Sequence, residues 1–172
     1  EQSVARARQS QSRLGSSSLS TGERTRRVQA LLASMAQAEA RADWLTPPGE
    51  SAYDKLRAAQ ALAPDDSAVR RAAARFLPAT KACFETELRD NRVRRARACY
   101  DAWQTIEPRD ARLDGARRRL ASKWIAVGDE RLGAGEVEFA AQALFEARQL
   151  DARAPGLPEF EARVRNARSG GD

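Results

Sequence analysis

The sequence predicts an all-α fold: three antiparallel helical hairpins stacked as a short solenoid, with a C-terminal capping helix. Three observations carry that expectation. The first is a phrase repeated every 44 residues: Ala61-Leu62-Ala63-Pro64, Thr105-Ile106-Glu107-Pro108 and Gln149-Leu150-Asp151-Ala152. A fixed period of this size marks stacked supersecondary units, each covering its neighbour's apolar flank. The second is composition. Ala, Arg and Leu dominate the 172 residues, aromatics supply only 6%, and β-branched residues are sparse, which favours helix. The third is spacing, since apolar residues recur at intervals of three and four between breaks bearing Pro, Gly or Asp.

Residues 1–22 alternate Gln, Ser, Gly and Arg with few apolar anchors and read as a basic arm or linker. The rival reading is the end of an upstream helix, since Glu1 to Arg13 contains no breaker. The folded part then covers 23–168. A first apolar stripe runs through Val28, Leu31, Leu32, Met35 and Ala38 to Trp44-Leu45, and Thr46-Pro47-Pro48-Gly49 stops it. A second helix runs from Glu50 to Leu62. Ala63 to Ser67 forms a turn carrying candidate N-caps. The third helix spans Ala68 to Leu88, with Pro78 as a kink point, and the fourth spans Arg92 to Ile106. The fifth covers Ala111 to Leu132, stopped by Gly133-Ala134-Gly135, and the sixth covers Glu136 to Leu150. A short helix from Pro158 to Asn166 and a frayed tail from Ser169 to Asp172 complete the chain. The hairpins are thus 23–66, 67–110 and 111–154, with a cap at 155–168 and a disordered tail at 169–172.

The registers agree across units. Thr25, Val69, Leu113 and Leu157 share one inward slot of the first helices. Val28, Ala72, Ala116 and Phe160 share the next, and Leu32, Phe76, Leu120 and Val164 a third. In the second helices, Ala52, Leu56, Ala59 and Pro64 recur as Ala96, Tyr100, Trp103 and Pro108, then as Ala140, Leu144, Ala147 and Ala152. Small residues there let the two helices of a hairpin approach closely. This pattern resembles the second helix of a tetratricopeptide repeat. The resemblance covers roughly residues 23 to 166. The first-helix Trp, Leu-Gly and Tyr positions of that family are not met, and the period is about ten residues longer than the usual 34. Two to three extra turns in each first helix and its following loop account for the excess. A generic antiparallel helical bundle is the alternative.

Cys83 and Cys99 lie eight residues on either side of Asn91 and stand level across a hairpin turning there. The equivalent pairs, Glu39 with Lys55 and Val127 with Ala143, are a charge pair and an apolar pair. Two readings stand: a disulfide, which implies an oxidising compartment such as the bacterial periplasm, or two buried thiols acting as small apolar residues.

The net charge of +6 is uneven. Residues 1–27 hold six Arg against two Glu, while the remainder is nearly balanced. Nucleic-acid binders more often cover one face with cations. There is no His, which removes the commonest general base and metal ligand. No phosphate-cradling glycine loop is present, and Glu136 and Glu138 point to different faces of a helix. No enzyme, cofactor or metal is expected. Core packing accounts for Trp44, Trp103 and Trp124. No stretch approaches the ~20 apolar residues of a membrane span. The chain begins at Glu1 without Met and reads as part of a larger protein, its upstream anchor or signal left open.

The tetratricopeptide resemblance implies a protein-binding groove lined by first helices. Arg26, Arg70 and Arg118 fall there, with Arg27, Arg71, Arg75 and Arg119 beside them. Such arginines suit acidic side chains or a chain-terminal carboxylate; a solvated face in an Arg-rich chain is the plain alternative. The expected role is a non-catalytic scaffold on the extracytoplasmic side of a bacterial membrane, bound to a protein or peptide. The alternatives are a module binding nucleic acid or an anionic surface through Arg6, Arg8, Arg13, Arg24, Arg26 and Arg27, and a secretion chaperone. Of the two cysteine readings, the disulfide predicts that thiol titration of the unfolded, unreduced protein finds no free thiol; two free thiols per chain overturn it.

Overall fold

The computed structural model describes residues 19–170. Residues 1–18, including Arg6, Arg8 and Arg13, and residues 171–172 lie outside the described part. Among the described residues the fold is all-α, with α1 (Thr21–Ala40), α2 (Ala52–Leu62), α3 (Ser67–Arg89), α4 (Val93–Ile106), α5 (Leu113–Gly133), α6 (Val137–Leu150) and α7 (Leu157–Ser169). α1 packs on α2, α4 on α5, α5 on α6, and α7 on both α5 and α6. The first helices have 20, 23 and 21 residues and the second helices 11, 14 and 14, so the long period does reside in the first helices. No helix among the described residues is long and apolar enough to cross a membrane.

The chain divides into two compact units, one up to Ala72 and one from Ala73. In the first, Val28, Ala59 and Val69 form a buried cluster joined by Leu31, Leu32, Leu62 and Ala63. Ser20 starts α1 with a capping box: its Oγ accepts from the Glu23 backbone N–H at 3.2 Å, and the Glu23 carboxylate accepts from the Ser20 N–H at 2.9 Å. The helix therefore begins at Thr21, inside the expected arm. Arg24, Arg26 and Arg27 are exposed on α1 rather than on a flexible segment.

The end of α1 departs from expectation. The helix stops at Ala40, not at the prolines, because Ala42 turns left-handed (φ 60°). The Asp43 N–H then reaches the Ala38 carbonyl at 2.9 Å, and the Ala42 N–H reaches that of Glu39 at 2.9 Å, a Schellman closure. The other long helices close the same way. At Asn91 (φ 57°), the Arg92 N–H reaches Glu87 O; at Gly135 (φ 85°), the Glu136 N–H reaches Arg131 O. The segment after α1 is tied down by Ala52 N–H to Asp43 O (2.8 Å) and Tyr53 N–H to Trp44 O (3.0 Å). Trp44 is 40% exposed, so it is not the core residue expected. At the other end, α7 runs to Ser169, three residues past the predicted Asn166 and into the predicted tail.

The repeat is visible in the hydrogen bonds. Asp66 N–H to Ala63 O, Asp110 N–H to Glu107 O and Ala154 N–H to Asp151 O form one turn at three equivalent places. Asp66 caps α3 by accepting from the Ala68 and Val69 N–H groups at 2.7 and 3.1 Å. Of the twelve inward slots, ten are buried; Leu32 is half-buried, and Thr25, in the first turn of α1, is exposed. α3 continues through Pro78, where the Thr80 hydroxyl donates to the Leu77 carbonyl at 2.7 Å.

In the second unit, Cys83 of α3 and Cys99 of α4 face each other with Cα atoms 5.8 Å apart, and the structure joins their sulfurs. Phe84 packs beside them on Tyr100 and Trp103, with ring centroids 6.3 and 5.9 Å apart. Below this sits Asp110, whose side chain is 7% exposed. It accepts from Lys81 Nζ (2.8 Å), Trp103 Nε1 (3.1 Å) and both the side chain and the backbone N–H of Arg112. One carboxylate thus ties α3, α4 and the start of α5. Further along, α5, α6 and α7 meet at Gly128, where a Cβ would come within 2.6 Å of both Ala143 Cβ and Phe160 Cζ.

Two outcomes follow. Gly128→Ala gains roughly 1 kcal/mol of helix propensity but forces a methyl into a closed seam, costing about 1–3 kcal/mol or more. We expect a net fall in the urea midpoint; a rise would show that the seam is loose. Hydrogen bonds from Arg112 and then Lys81 hold the Asp110 carboxyl far below its ordinary value. Its stabilising effect is therefore complete above the ordinary carboxylate range, about pH 4, and lost as the pH falls further. Melting temperature should drop on acidification below that point. Asp110→Asn should be less stable at neutral pH and show a flatter acid limb; an unchanged limb would remove Asp110 from this role.

Candidate functional site

An open cleft of about 640 Å³ lies wholly within the second unit, on the side of its long first helices. Positions 85, 88 and 89 put Glu85, Leu88 and Arg89 on one face of α3. Positions 118, 119, 122, 123 and 126 put Arg118, Arg119, Ser122, Lys123 and Ala126 on one face of α5. Asp151 and Pro155, from the turn before α7, close one end. Four cations and two carboxylates leave the lining with a positive balance.

The charges are not equally available. Arg119 forms a two-pronged pair with Glu85, both contacts 2.7 Å, and its guanidinium lies 5.8 Å from the centre of the Phe84 ring. The Arg119 hydrogen bonds hold the Glu85 carboxyl below its ordinary value and raise the Arg119 guanidinium in turn. Arg118 pairs with Asp114 one turn back, and that contact is exposed on both sides. Arg89 lies 3.3 Å from Asp90. Lys123 is half-buried and has no carboxylate partner among the described residues.

Of the arginines expected to line a groove, the cleft brings together Arg118 and Arg119. Arg26, Arg70 and Arg71 belong to the first unit and are exposed there. Arg75 is exposed on α3 but is not part of the lining. Sequence reasoning missed Lys123, Arg89 and Glu85. Lys123 sits one helical turn past Arg119, so a search along the helix face, rather than along the 44-residue repeat, would have found it. Trp103 and Trp124 are buried, as expected.

The lining supplies cationic donors around a partly apolar floor and so suits carboxylates presented on an extended or helical segment. The fold and this cleft define an all-helical array of packed neighbouring helices, compatible with a helical repeat. No protein-family model, curated protein or solved structure matches the chain.

Proposed function

We propose that the chain is a non-catalytic protein-interaction module of tetratricopeptide-like architecture, and that its cleft between α3 and α5 receives an acidic segment of a partner protein. The observation that carries this reading is Lys123: a half-buried lysine in a cation-rich cleft, with no carboxylate partner among the described residues. Arg118 supplies a second cation through an exposed local pair that costs little to exchange. Arg119 is already held by Glu85 and contributes shape more than binding. The Cys83–Cys99 geometry supports an extracytoplasmic, oxidising setting for the module.

The test is binding of a fluorescently labelled Asp/Glu-rich peptide to residues 1–172. Joint reversal, Arg118→Glu with Lys123→Glu, should weaken the complex about tenfold or more without lowering the melting temperature by more than a few degrees. Glu85→Gln should strengthen binding, because it releases Arg119. Unchanged affinity in the double variant would move the site away from this cleft. Salt-sensitive DNA binding lost on deleting residues 1–18 would favour the basic arm instead.

A further inference from the structure

A second cleft, of about 600 Å³, opens within the same unit between α4 and α6, the shorter second helices. α4 contributes Arg94 and Arg97, α6 contributes Phe139, Gln142 and two glutamates, and α5 contributes Trp124. Of the two carboxylates, Glu146 is held firmly and Glu138 is 89% exposed at the rim. Glu146 accepts from Arg97 at 2.8 Å and from the Gln142 amide at 3.0 Å, and Glu138 lies 3.5 Å from Arg168. Two donors remain. The Arg94 guanidinium sits over the Phe139 ring, 5.4 Å from its centre, and is in no ion pair among the described residues, whereas Arg131, 5.6 Å from the same ring, is already paired with Glu136. The Trp124 side chain is 1% exposed, and its indole N–H has no acceptor among the described residues. A buried donor left unpaired is unfavourable, so an acceptor that reaches it when a covering side chain moves is favoured. Phe139 and Trp124, 6.3 Å apart between ring centres, give the cleft an aromatic wall.

A cation and an N–H donor both call for an acceptor, and the aromatic wall calls for an apolar body next to it. We propose that this second cleft binds an apolar carboxylate: Arg94 turns from the Phe139 ring to the carboxylate, which also meets the Trp124 Nε1–H uncovered by that movement, and the apolar part takes the vacated place on Phe139. That chemistry is offered by a free apolar acid or by a peptide ending in an apolar residue.

The experiment uses oxidised, ¹⁵N-labelled residues 1–172 and follows the indole N–H signal of Trp124, assigned through its contacts to the Phe139 ring. N-acetyl-L-phenylalanine should shift that signal saturably, and its carboxamide should not. Arg94→Gln, a change at an exposed position, should weaken the response about tenfold, while the double reversal at Arg118 and Lys123 should leave it intact. Stronger binding of a hexapeptide ending in Phe assigns the chain terminus as the source; equal or weaker binding assigns the free acid. No shift at saturating acid, an equal shift with the carboxamide, or an undiminished response in Arg94→Gln would each overturn the proposal.

Discussion

The structure depends on how closely its helices approach, and small side chains set that distance. Ala52 and Ala59 in α2, Ala96 in α4, and Ala140, Ala143 and Ala147 in α6 are all fully buried. At Gly128 even a methyl group has no room against Ala143 and Phe160. With the backbones this close, each large residue has a fixed gap to fill. Leu56, Phe84, Leu120, Trp124 and Phe160 are all fully buried or nearly so. Packing at this density admits little change of volume on either side. The apolar area of any one helix is modest, so stability comes from neighbours covering each other rather than from a single large core.

Polar contacts reinforce the seams at chosen places. The middle hairpin is fastened three times: by Cys83 to Cys99, by Phe84 set between Tyr100 and Trp103, and by Asp110 at its base. The last hairpin has one aromatic pair, Trp124 of α5 with Phe139 of α6, and α7 is tied to that hairpin by surface pairs, Arg148 with Glu161 and Arg163 with Asp129. Exposed pairs of this kind contribute little each. Here the alanine seam and Gly128 do most of the holding.

Much of this was legible in the sequence, because it rests on side-chain size and period. The 44-residue spacing gives the turns, and the inward slots from Val69 to Val164 are buried as expected. The first helix was misjudged because Pro47 and Pro48 look like its terminator, whereas an alanine takes the left-handed position at residue 42. An L-residue there is disfavoured by roughly 1–2 kcal/mol, and nothing in a single sequence announces it. Trp44 then falls in a loop rather than on the stripe. The basic cleft was half legible. Arg119 repeats Arg75, and Glu85 is matched by Asp129, each 44 residues apart, but Arg118 and Lys123 have Ala74 and Ala79 one repeat earlier, and repetition cannot point to them. The second cleft had no sequence signal, since the lack of an acceptor for Trp124 is a property of its neighbours' positions.

Asp110 has a consequence for how this chain can vary. Lys81, Trp103 and Arg112 come from three different segments, yet all depend on the same two oxygens. Replacing Asp110 strands all three, whereas replacing one of them takes a single donor from the carboxylate. The effects of changes at these positions are therefore far from additive. The dependence runs from the carboxylate outward, and a homologue that has lost the aspartate should have lost the lysine and the indole as well.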